Sequence, residues 1–267
     1  MSLPITHFNG TSAGVDDLAP LAFAGFAHFT AMQVRAGSVR GLDLHLARLQ
    51  TASDELFGHH LPDARVREYL RAALAASPAD VSLTCFITAP PGEFMPADGR
   101  AELDVLVKVT AASDPPAGPL RLDVVEHERH FAHIKHVGEV AKTQYLRRAR
   151  DRGFDDAAFI DRRGRLGEAT IWNLAFWDGA SVLWPDTDVL PGVTMQILNR
   201  QLHANGIPQR TLPIHPRDLS DRISAVVMNS WTPGVPVTRI GERDLAEDAD
   251  FAYLLHETYE TEILTSV

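Results

Sequence analysis

The sequence predicts mixed helix and strand in two parts: a small α+β domain over residues 1–115 and a larger, strand-rich α/β domain over residues 120–267. Three observations lead to this prediction. The chain has 267 residues, of which 45% are hydrophobic, and this is enough for two modest domains with apolar cores. Helix-like and strand-like segments alternate in both parts. Between them, ASDPPAGP at 112–119 has the proline and glycine density of a linker.

A hairpin signal followed by an amphipathic pattern opens the small domain. FTAMQVRAGSVR (29–40) has two strand-like runs on either side of Ala36-Gly37, which predicts a hairpin. GLDLHLARLQTASDELFG (41–58) carries leucine at helical spacing and ends in glycine, which predicts a helix. The rest of the domain is predicted as a second helix over 63–77 and two strands, VSLTCFIT (81–88) and AELDVLVKVT (101–110), separated by the turn-rich PPGEFMPADGR (90–100).

The large domain alternates helices with runs of strands. Glycines 153 and 206 mark the ends of its two predicted helices. Turns at Arg163-Gly164 and Asp178-Gly179 divide a β-branched and aromatic region into several strands. In order, the predicted elements are LRLDVVEHER (120–129), a strand; GEVAKTQYLRRARDR (138–152), a helix; residues 156–185, a run of strands; GVTMQILNRQLHANG (192–206), a helix; and ISAVVMNSWTPGVPVTRIG (223–241), strands.

Composition and charge exclude several classes of function. The formal net charge is −10, so there is no basic surplus to neutralise the phosphates of nucleic acid. Cys85 is the single cysteine, which rules out an internal disulfide. The start MSLPITHFNGTSAG does not resemble a signal peptide, and the apolar stretch LAPLAFAGFAHF (18–29) is too short to span a membrane. We therefore expect a cytoplasmic protein with neither a nucleic acid nor a membrane as partner.

Lysine is rare in this chain. Lysine and arginine together number 25, yet lysine occurs only at positions 108, 135 and 142. Arginine replaces lysine readily as a surface charge, but its high pKa prevents it from acting as a neutral amine. The three lysines are therefore the candidates for amine chemistry.

One of them lies in the segment HERHFAHIKH, where histidine occurs at positions 127, 130, 133 and 136. A spacing of three fits poorly with the converging ligands of a metal site, and neither a cysteine nor an H-E-x-x-H motif accompanies it. We therefore expect no metal and interpret these histidines as polar edge or surface residues. Lys135 lies between a predicted strand and a predicted helix, where reactive groups are often presented. Burial or nearby positive charge would favour its neutral, nucleophilic form; the alternative is a solvated surface charge.

The residues around Lys135 resemble the signature region of the class IV aminotransferases, which are fold-type IV pyridoxal-phosphate enzymes. In that family a lysine is followed by a helix, a strand, a D-x-x-G turn and an E-x-x-x-x-N motif. Here Lys135 precedes Glu168 by 33 residues, close to the family's spacing, whereas Lys142 would leave 26. Three further blocks of the chain resemble family segments in the right order: HFTAMQVRAGSVRGLDLHLARL (28–49), LPGVT (190–194) and NSWTPGVPV (229–237).

The resemblance implies a two-domain fold-type IV homodimer that binds pyridoxal 5′-phosphate. Lys135 would hold the cofactor's aldehyde and act as general base and acid, and Glu168 would keep the ring nitrogen protonated. Arg48 and Ser230 match positions that bind the phosphate. The alternatives are a solvated turn carboxylate at Glu168, a surface arginine on an amphipathic helix at Arg48 and a strand-end hydroxyl at Ser230. The backbone amides of Val193 and Thr194, which open a predicted helix, also suit an anion.

The substrate side departs from the family's patterns. Val140 stands where branched-chain enzymes have a tyrosine on the cofactor's ring oxygen, and Tyr145 or Asn173 could take over that contact. Cys85 stands where the D-amino-acid enzymes have a carboxylate-binding arginine. Arg35 falls at a substrate-side position of those enzymes, so it is a candidate carboxylate ligand; an exposed turn residue is the alternative. The aromatic candidates for pocket walls, which could equally be core or dimer contacts, are Phe29, Trp172 and Trp231.

The resemblance therefore implies an aminotransferase that exchanges an amino group between a primary amine or amino acid and a keto acid. Two alternatives stay open because the substrate-side residues differ from those of any subfamily. One is a lyase of the aminodeoxychorismate lyase type, which uses the same cofactor. The other is a family member that binds the cofactor without turnover.

Overall fold

The computed structural model describes residues 3–89 and 102–267, so the turn-rich segment predicted at 90–100 lies outside the described residues. The chain forms two compact units. The first unit comprises Met1–Ser113, Ile134–Gly138 and Ile263–Val267, and the second comprises Asp114–His133 and Glu139–Glu262. The predicted boundaries at the linker would place Ile134–Gly138 and Ile263–Val267 in the large domain and not with the first unit. The boundaries stay a prediction.

The first unit is an antiparallel sheet with two helices packed against it. Its elements are β1 (Ile5–Phe8), β2 (Thr11–Ser12), β3 (Ala27–Val34), β4 (Ser38–Arg40), α1 (Leu42–Phe57), α2 (Asp63–Ala75), β5 (Val81–Thr88) and β6 (Asp104–Ala111), with short 3-10 and π-helical turns at Asp16–Leu18 and Pro20–Ala24. The sheet order is β2-β1-β6-β5-β3. Helix α1 packs on β3 and α2 on β6 and β1.

Helix α1 is amphipathic and supplies much of the first unit's core. Leu42, Leu46 and Leu49 recur at helical spacing, and all three are buried in one apolar cluster with alternate residues of β5. The helix ends at Gly58, whose left-handed φ of 78° suits glycine at this position. The predictions of this helix and of strand β5 are confirmed.

The predicted hairpin at residues 29–40 is also confirmed. Arg35 and Ser38 exchange two backbone hydrogen bonds of 2.9 Å across the turn. Ala36 and Gly37 between them both have positive φ, 48° and 72°, as a two-residue hairpin loop requires. This turn fixes the position of the Arg35 backbone.

The short segment Ile134–Gly138 lies alongside β3 and forms a single bridge to it. The backbone N–H of Phe29 donates to the Lys135 carbonyl at 2.8 Å, and the N–H of Val137 donates to the Ala27 carbonyl at 2.9 Å. These two bonds tie Lys135 to an edge strand. The backbone at the candidate lysine is therefore held by two hydrogen bonds around a single bridge between His28 and His136.

The second unit contains most of the strands of the large predicted domain. They are β7 (Leu120–Glu126), β8 (Asp156–Ile160), β9 (Leu166–Ala169), β10 (Asn173–Trp177), β11 (Val182–Pro185), β12 (Gln209–Leu212), β13 (Ser224–Asn229), β14 (Thr232–Ile240) and β15 (Arg243–Asp244). The order is β12-β11-β10-β13-β14-β7-β8-β9, and β9 also pairs with β10. Strands β10, β13, β14, β7, β8 and β9 therefore form a closed ring, and apolar side chains from each of them share one core.

Three helices surround this ring, and a last strand returns to the first unit. Helices α3 (Val140–Asp151), α4 (Val193–Ala204) and α5 (Ala249–Glu260) belong to the second unit, which also has a 3-10 turn at Pro216–Asp218, while β16 (Leu264–Ser266) pairs with β4. Helix α3 packs on β7 and β8, whereas α4 and α5 pack on each other and on β13 and β14.

Two predictions in this region need correction. The strand predicted over 120–129 is too long, because β7 ends at Glu126 and residues 130–133 form a turn. Helix α5 was not predicted. Its signal was present in Asp248, whose side chain caps the helix by accepting the backbone N–H groups of Asp250 and Phe251. No described helix is both long and apolar enough to span a membrane.

Candidate active site

Glu168 lies on β9, opposite Asn173 of β10, and its side chain is 7% exposed. Its Oε1 accepts a hydrogen bond of 3.1 Å from Arg129 Nη1, and its Oε2 accepts only a long one of 3.4 Å from the Leu190 backbone N–H. A buried carboxylate needs such partners to keep its charge. Glu168 is therefore held in a buried position by Arg129, with one oxygen able to accept a further hydrogen bond, and is not a solvated turn carboxylate.

Arg129 is the principal partner of this carboxylate, and sequence reasoning missed it. Its side chain is 2% exposed. Nε donates to Glu139 Oε1 at 2.7 Å, while Nη1 donates to the Ala132 carbonyl at 2.8 Å as well as to Glu168. The guanidinium thus joins the start of α3 to β9. Among the histidines of HERHFAHIKH, the one arginine carried no distinct sequence signal.

Lys142 lies in the first turn of α3 and is the second cation near Glu168. Its Nζ is 4.0 Å from Glu168 Oε1, and its side chain is 14% exposed. Burial lowers the pKa of Lys142, while the carboxylate of Glu168 opposes that shift. The spacing to Glu168 argues against Lys142 as the cofactor lysine, but it gives no reason to expect Lys142 beside Glu168.

The N-terminus of helix α4 lies close to Glu168, because the backbone N–H of Leu190, just before the helix, donates to that carboxylate. Helix α4 begins at Val193 after Gly192, and no side chain caps it. Asn173 donates to the Leu190 carbonyl at 2.7 Å, and a Cβ at position 192 would collide with the Asn173 side chain. Position 192 therefore requires glycine, because the Asn173 side chain lies against the backbone there. The amides at the start of the helix are left as donors for an anion.

The turn between β13 and β14 is tied to the same helix. Thr194 Oγ1 donates to the Asn229 carbonyl at 2.7 Å, and Asn229 in turn accepts the Trp231 backbone N–H at 2.9 Å. Ser230, between them, is half-buried. The second unit therefore brings together the predicted ring-nitrogen carboxylate, the helix-start amides and the loop that carries the predicted phosphate-binding hydroxyl.

The two tryptophan candidates have different environments. Trp172 is buried, and its Nε1 donates to Asp156 Oδ2 at 3.0 Å. Trp231 is 41% exposed and meets Trp172 edge to face, with ring centroids 6.1 Å apart. Trp172 is thus a core residue, which was one of the alternatives expected for it. Trp231 is the tryptophan of this pair whose ring is exposed.

A cleft of about 380 Å³ in the second unit reaches Glu168. Besides Glu168 and Arg129, its lining includes His127, Phe159, three arginines (Arg162, Arg163 and Arg165) and Thr187. His127 packs against Phe159 and Tyr145, with ring centroids 4.8 and 5.1 Å away, and burial lowers the pKa of this histidine. The carboxylate is therefore buried but accessible to a ligand.

The first unit holds the other candidates. Lys135 is half-buried, and its Nζ lies 4.8 Å from the ring centroid of Phe29, a cation–π distance. The Phe29 ring also packs on Phe86 at 5.2 Å. The lysine thus lies over an aromatic surface on the edge of the sheet.

Arg48 lies on α1 and is half-buried; burial lowers its pKa to about 10. The helix around it is fixed to β3 by two buried pairs: Thr30 Oγ1 with His45 Nδ1 at 2.6 Å, and His28 Nε2 with Ser53 Oγ at 2.8 Å. Such pairs hold the helix in one register on the sheet. The arginine is therefore a positioned cation, unlike an arginine on a freely solvated helix face.

The guanidinium of Arg35 folds back onto its own sheet. Nη1 donates to the carbonyls of Val34 at 2.9 Å and Val81 at 3.2 Å, and Nη2 donates to Gln33 Oε1 at 3.0 Å. These contacts stabilise the strand ends next to the hairpin. The role of Arg35 as a carboxylate ligand stays a prediction.

Other predicted candidates have less specific positions. Val140 begins α3 and is exposed, and the Tyr145 ring packs against His127 and Phe159. Cys85 is buried in the core, where burial raises the pKa of its thiol to about 12. Within residues 3–89 and 102–267, no three His, Cys, Asp or Glu side chains are grouped to hold a metal ion.

Comparison with known proteins gives a family and a fold. A family model described as amino-transferase class IV matches residues 27–240. Among solved structures, a branched-chain aminotransferase from Thermoproteus uzoniensis with norvaline has a TM-score of 0.80 and 18% identity, covering 97% of this chain and 94% of that one. A branched-chain aminotransferase from Escherichia coli has a TM-score of 0.81 and 16% identity, covering 96% and 92%.

A third similar structure is a hypothetical aminotransferase from Mycobacterium tuberculosis in a PLP-bound form. Its TM-score is 0.79 and its identity 20%, and the match covers 97% of this chain and 98% of that one. A comparison with curated protein sequences gives no match. The predicted fold-type IV architecture is thus confirmed.

Proposed function

Because the chain belongs to the class IV aminotransferase family, we propose that it is a pyridoxal-phosphate-dependent aminotransferase. It exchanges an amino group between a primary amine or amino acid and a keto acid. The observation that carries this proposal is Glu168, a buried carboxylate with a spare acceptor oxygen, located 33 residues after Lys135. Norvaline in the T. uzoniensis structure and PLP in the M. tuberculosis structure add support from similar folds.

The donor set of this chain fits the cofactor. Pyridoxal phosphate needs an amine for its aldehyde, a carboxylate for its ring nitrogen and donors for its phosphate. Lys135 supplies the amine and Glu168 the carboxylate. The phosphate donors are Arg48, Ser230 and the amides of Val193 and Thr194, and the uncapped helix start leaves those amides available. When bound, the cofactor withdraws electrons from the substrate carbon and so eases removal of its proton.

The protein's own residues hold the reactants and move that proton. Lys135 takes the proton from the substrate carbon as a general base and returns it as a general acid. Glu168 holds a proton at the ring nitrogen. Asn173 keeps the turn before α4 in place through its bond to Leu190. Trp231, with its open face, bounds the substrate, and Arg35 reads an anionic end if the substrate has one.

Lys142 is a poor rival for the cofactor's aldehyde. It lies 4.0 Å from Glu168, the group assigned to the ring nitrogen. The ring nitrogen and the aldehyde stand at opposite ends of the pyridine ring. A lysine beside the carboxylate at one end is therefore remote from the carbon at the other.

We extend the proposal to assembly and location. The homodimer implied by the family resemblance would cover apolar side chains that are exposed in a single chain. A cytoplasmic location agrees with one buried cysteine and no disulfide. A net charge of −10 argues against nucleic acid as a partner.

The test is to locate the cofactor on the chain. The purified protein should be yellow, and borohydride reduction followed by peptide mapping should find the pyridoxyl group on Lys135, because only that lysine has the required spacing to Glu168. Lys142→Arg is the matched control and should leave the label on Lys135. A label on Lys142, on Lys108 or on neither would overturn the assignment.

A second measurement identifies the reaction. An amino-donor screen, followed through the cofactor's absorbance, should find a donor that yields a keto acid while a second keto acid gains the amino group. Product analysis distinguishes this exchange from elimination by a lyase. Full cofactor loading without any turnover would contradict the aminotransferase proposal.

A further inference from the structure

One oxygen of Glu168 has two basic neighbours. Arg129 Nη1 is 3.1 Å and Lys142 Nζ is 4.0 Å from Oε1. The guanidinium of Arg129 already pairs with this oxygen and also donates to Glu139. Lys142 is therefore a second positive charge beside an oxygen that Arg129 already contacts.

Buried ionisable side chains of both signs lie around this oxygen. Two cations, Arg129 and Lys142, face two carboxylates, Glu139 and Glu168, in a region where all four side chains are at most 19% exposed. Asp156 and His127 are further titratable groups near this cluster, and burial raises the pKa of Asp156 and lowers that of His127. Adding a protonated ring nitrogen would place a third positive charge beside Glu168.

We propose that Lys142 is a positioning residue that weakens the hold of Glu168 on the ring-nitrogen proton by sharing the charge of that carboxylate. The inference rests on the proposed function, because it concerns the cofactor that Glu168 would bind. Lys142 acts through Glu168 and touches neither substrate nor aldehyde. Its effect is to set the fraction of cofactor whose ring nitrogen is protonated, and hence how strongly the cofactor withdraws electrons.

Burial and composition support a specific role for this lysine. Lysine is seldom buried unless it is paired, because desolvation disfavours its charge. This chain uses arginine for nearly all its basic positions, yet it has lysine here at 14% exposure. Burial lowers the pKa of Lys142 and the Glu168 carboxylate raises it, as expected for a buried lysine that pairs with a carboxylate.

The size of the effect follows from electrostatics. A unit charge several ångströms away, at the effective dielectric constant of a partly buried site, changes a protonation constant by about tenfold or more. Removing the charge of Lys142 should therefore raise the pH midpoint of ring-nitrogen deprotonation by about one unit. Replacing lysine with arginine should leave that midpoint close to the wild-type value, because the positive charge is kept.

The experiment titrates the ring nitrogen directly. The wild-type protein, Lys142→Met, Lys142→Arg and Lys108→Met are loaded with cofactor labelled with ¹⁵N in the ring, and the nitrogen resonance is followed against pH. Lys108 is an exposed lysine of β6 and serves as the matched control. We expect an upward shift of the midpoint in Lys142→Met alone. An unchanged midpoint in Lys142→Met with bound cofactor would overturn the inference while leaving the proposed function intact.

A measurement on the cofactor-free chain guards against a variant that fails to fold. The lysines of the wild-type protein and of Glu168→Gln are reductively methylated with ¹³C, and their three resonances are titrated. We expect the Glu168→Gln change to lower the pKa of Lys142 and to leave that of Lys108 unchanged. Equal Lys142 titration in both proteins would overturn the inference. A wild-type chain that binds no labelled cofactor would instead overturn the proposed function, and the inference with it, even if the two side chains are coupled.

Discussion

Glu168 combines burial with an ion pair, and these two features make opposite demands on its charge. Desolvation disfavours the carboxylate, whereas Arg129, 3.1 Å away, favours it. The family-like motif predicted that Glu168 would be a cofactor carboxylate. It could not predict Arg129 or Lys142, because their proximity depends on how α3 packs against the ring of strands, and sequence spacing does not encode that packing.

The first residue-scale prediction concerns Glu168→Gln. The amide keeps the shape of the side chain but cannot hold the ring-nitrogen proton as an anion does. We expect cofactor binding to persist and turnover to fall by about a hundredfold or more, the usual effect of losing a preorganised electrostatic partner. Absorbance measures cofactor content, and steady-state kinetics measures turnover. A near-normal rate would mean that Glu168 is not the partner of the ring nitrogen.

The second residue-scale prediction concerns Arg35→Ala. If Arg35 reads a substrate carboxylate, the change should raise KM for acidic or α-amino-acid donors by about ten- to a hundredfold and spare simple amines, because one charge-assisted contact is worth about 1.5–3 kcal/mol. Kinetics with both donor classes measures the difference. Unchanged kinetics for both classes would leave Arg35 with its contacts to Val34, Val81 and Gln33 as a strand-end residue.

At the scale of elements, α1 and β3 position Arg48 and Phe29. The apolar repeat of α1 could be recognised because Leu42, Leu46 and Leu49 follow helical spacing, and the β3 hairpin because its loop contains Gly37, which suits positive φ. The buried histidine pairs that lock α1 onto β3 were not predictable, since a histidine in a strand pattern carries no signal of its partner. Helix α5 was not predicted although its sequence holds both signals, the capping Asp248 and an apolar face with Phe251 and Leu255.

The histidine pairs between these elements give a pH dependence. Burial lowers the pKa of His28 to about 4 and that of His45 to about 3, from an ordinary value of 6.5. The unfolded chain therefore takes up protons below about pH 6.5 before the folded protein does. The stabilisation is fully present above that pH and is lost as the pH falls toward 4, at up to about 1.4 kcal/mol per pH unit for each histidine.

Denaturant unfolding between pH 4 and 7 measures this slope. The double change His28→Gln and His45→Asn should reduce it, because neither amide takes up a proton in this range. His203→Gln, at an exposed position of α4, is the control and should leave the slope near the wild-type value. A double variant with the wild-type slope would assign the pH dependence to other groups.

At the scale of the whole molecule, the first unit exposes apolar side chains near its N-terminal turns. Val15 and Phe23 are both 87% exposed, and Leu18 lies between them at 40%. Exposed apolar groups that are close in sequence suit an interface, and most soluble oligomers are symmetric homodimers. This agrees with the homodimer implied by the family resemblance, and it gives that assembly a testable surface.

We expect light scattering to find a dimer and Phe23→Glu to shift it toward the monomer, because a carboxylate would be desolvated at the interface. Tyr253→Glu, at an exposed aromatic position on α5, is the matched control. A strictly monomeric and active wild-type protein would contradict the expectation. Equal dissociation by both variants would also contradict it, because the N-terminal turns would then have no specific part in the dimer.

The first unit is completed by residues that come late in the chain. Strand β16 pairs with β4, Val267 is buried in the first unit's core, and Arg67 and Arg71 donate to the carbonyls of Ser266 and Val267. During synthesis on the ribosome, the second unit's whole sequence therefore emerges before the first unit has its last strand. The pairing of β4 with β16 therefore cannot form until the second unit's sequence has been made.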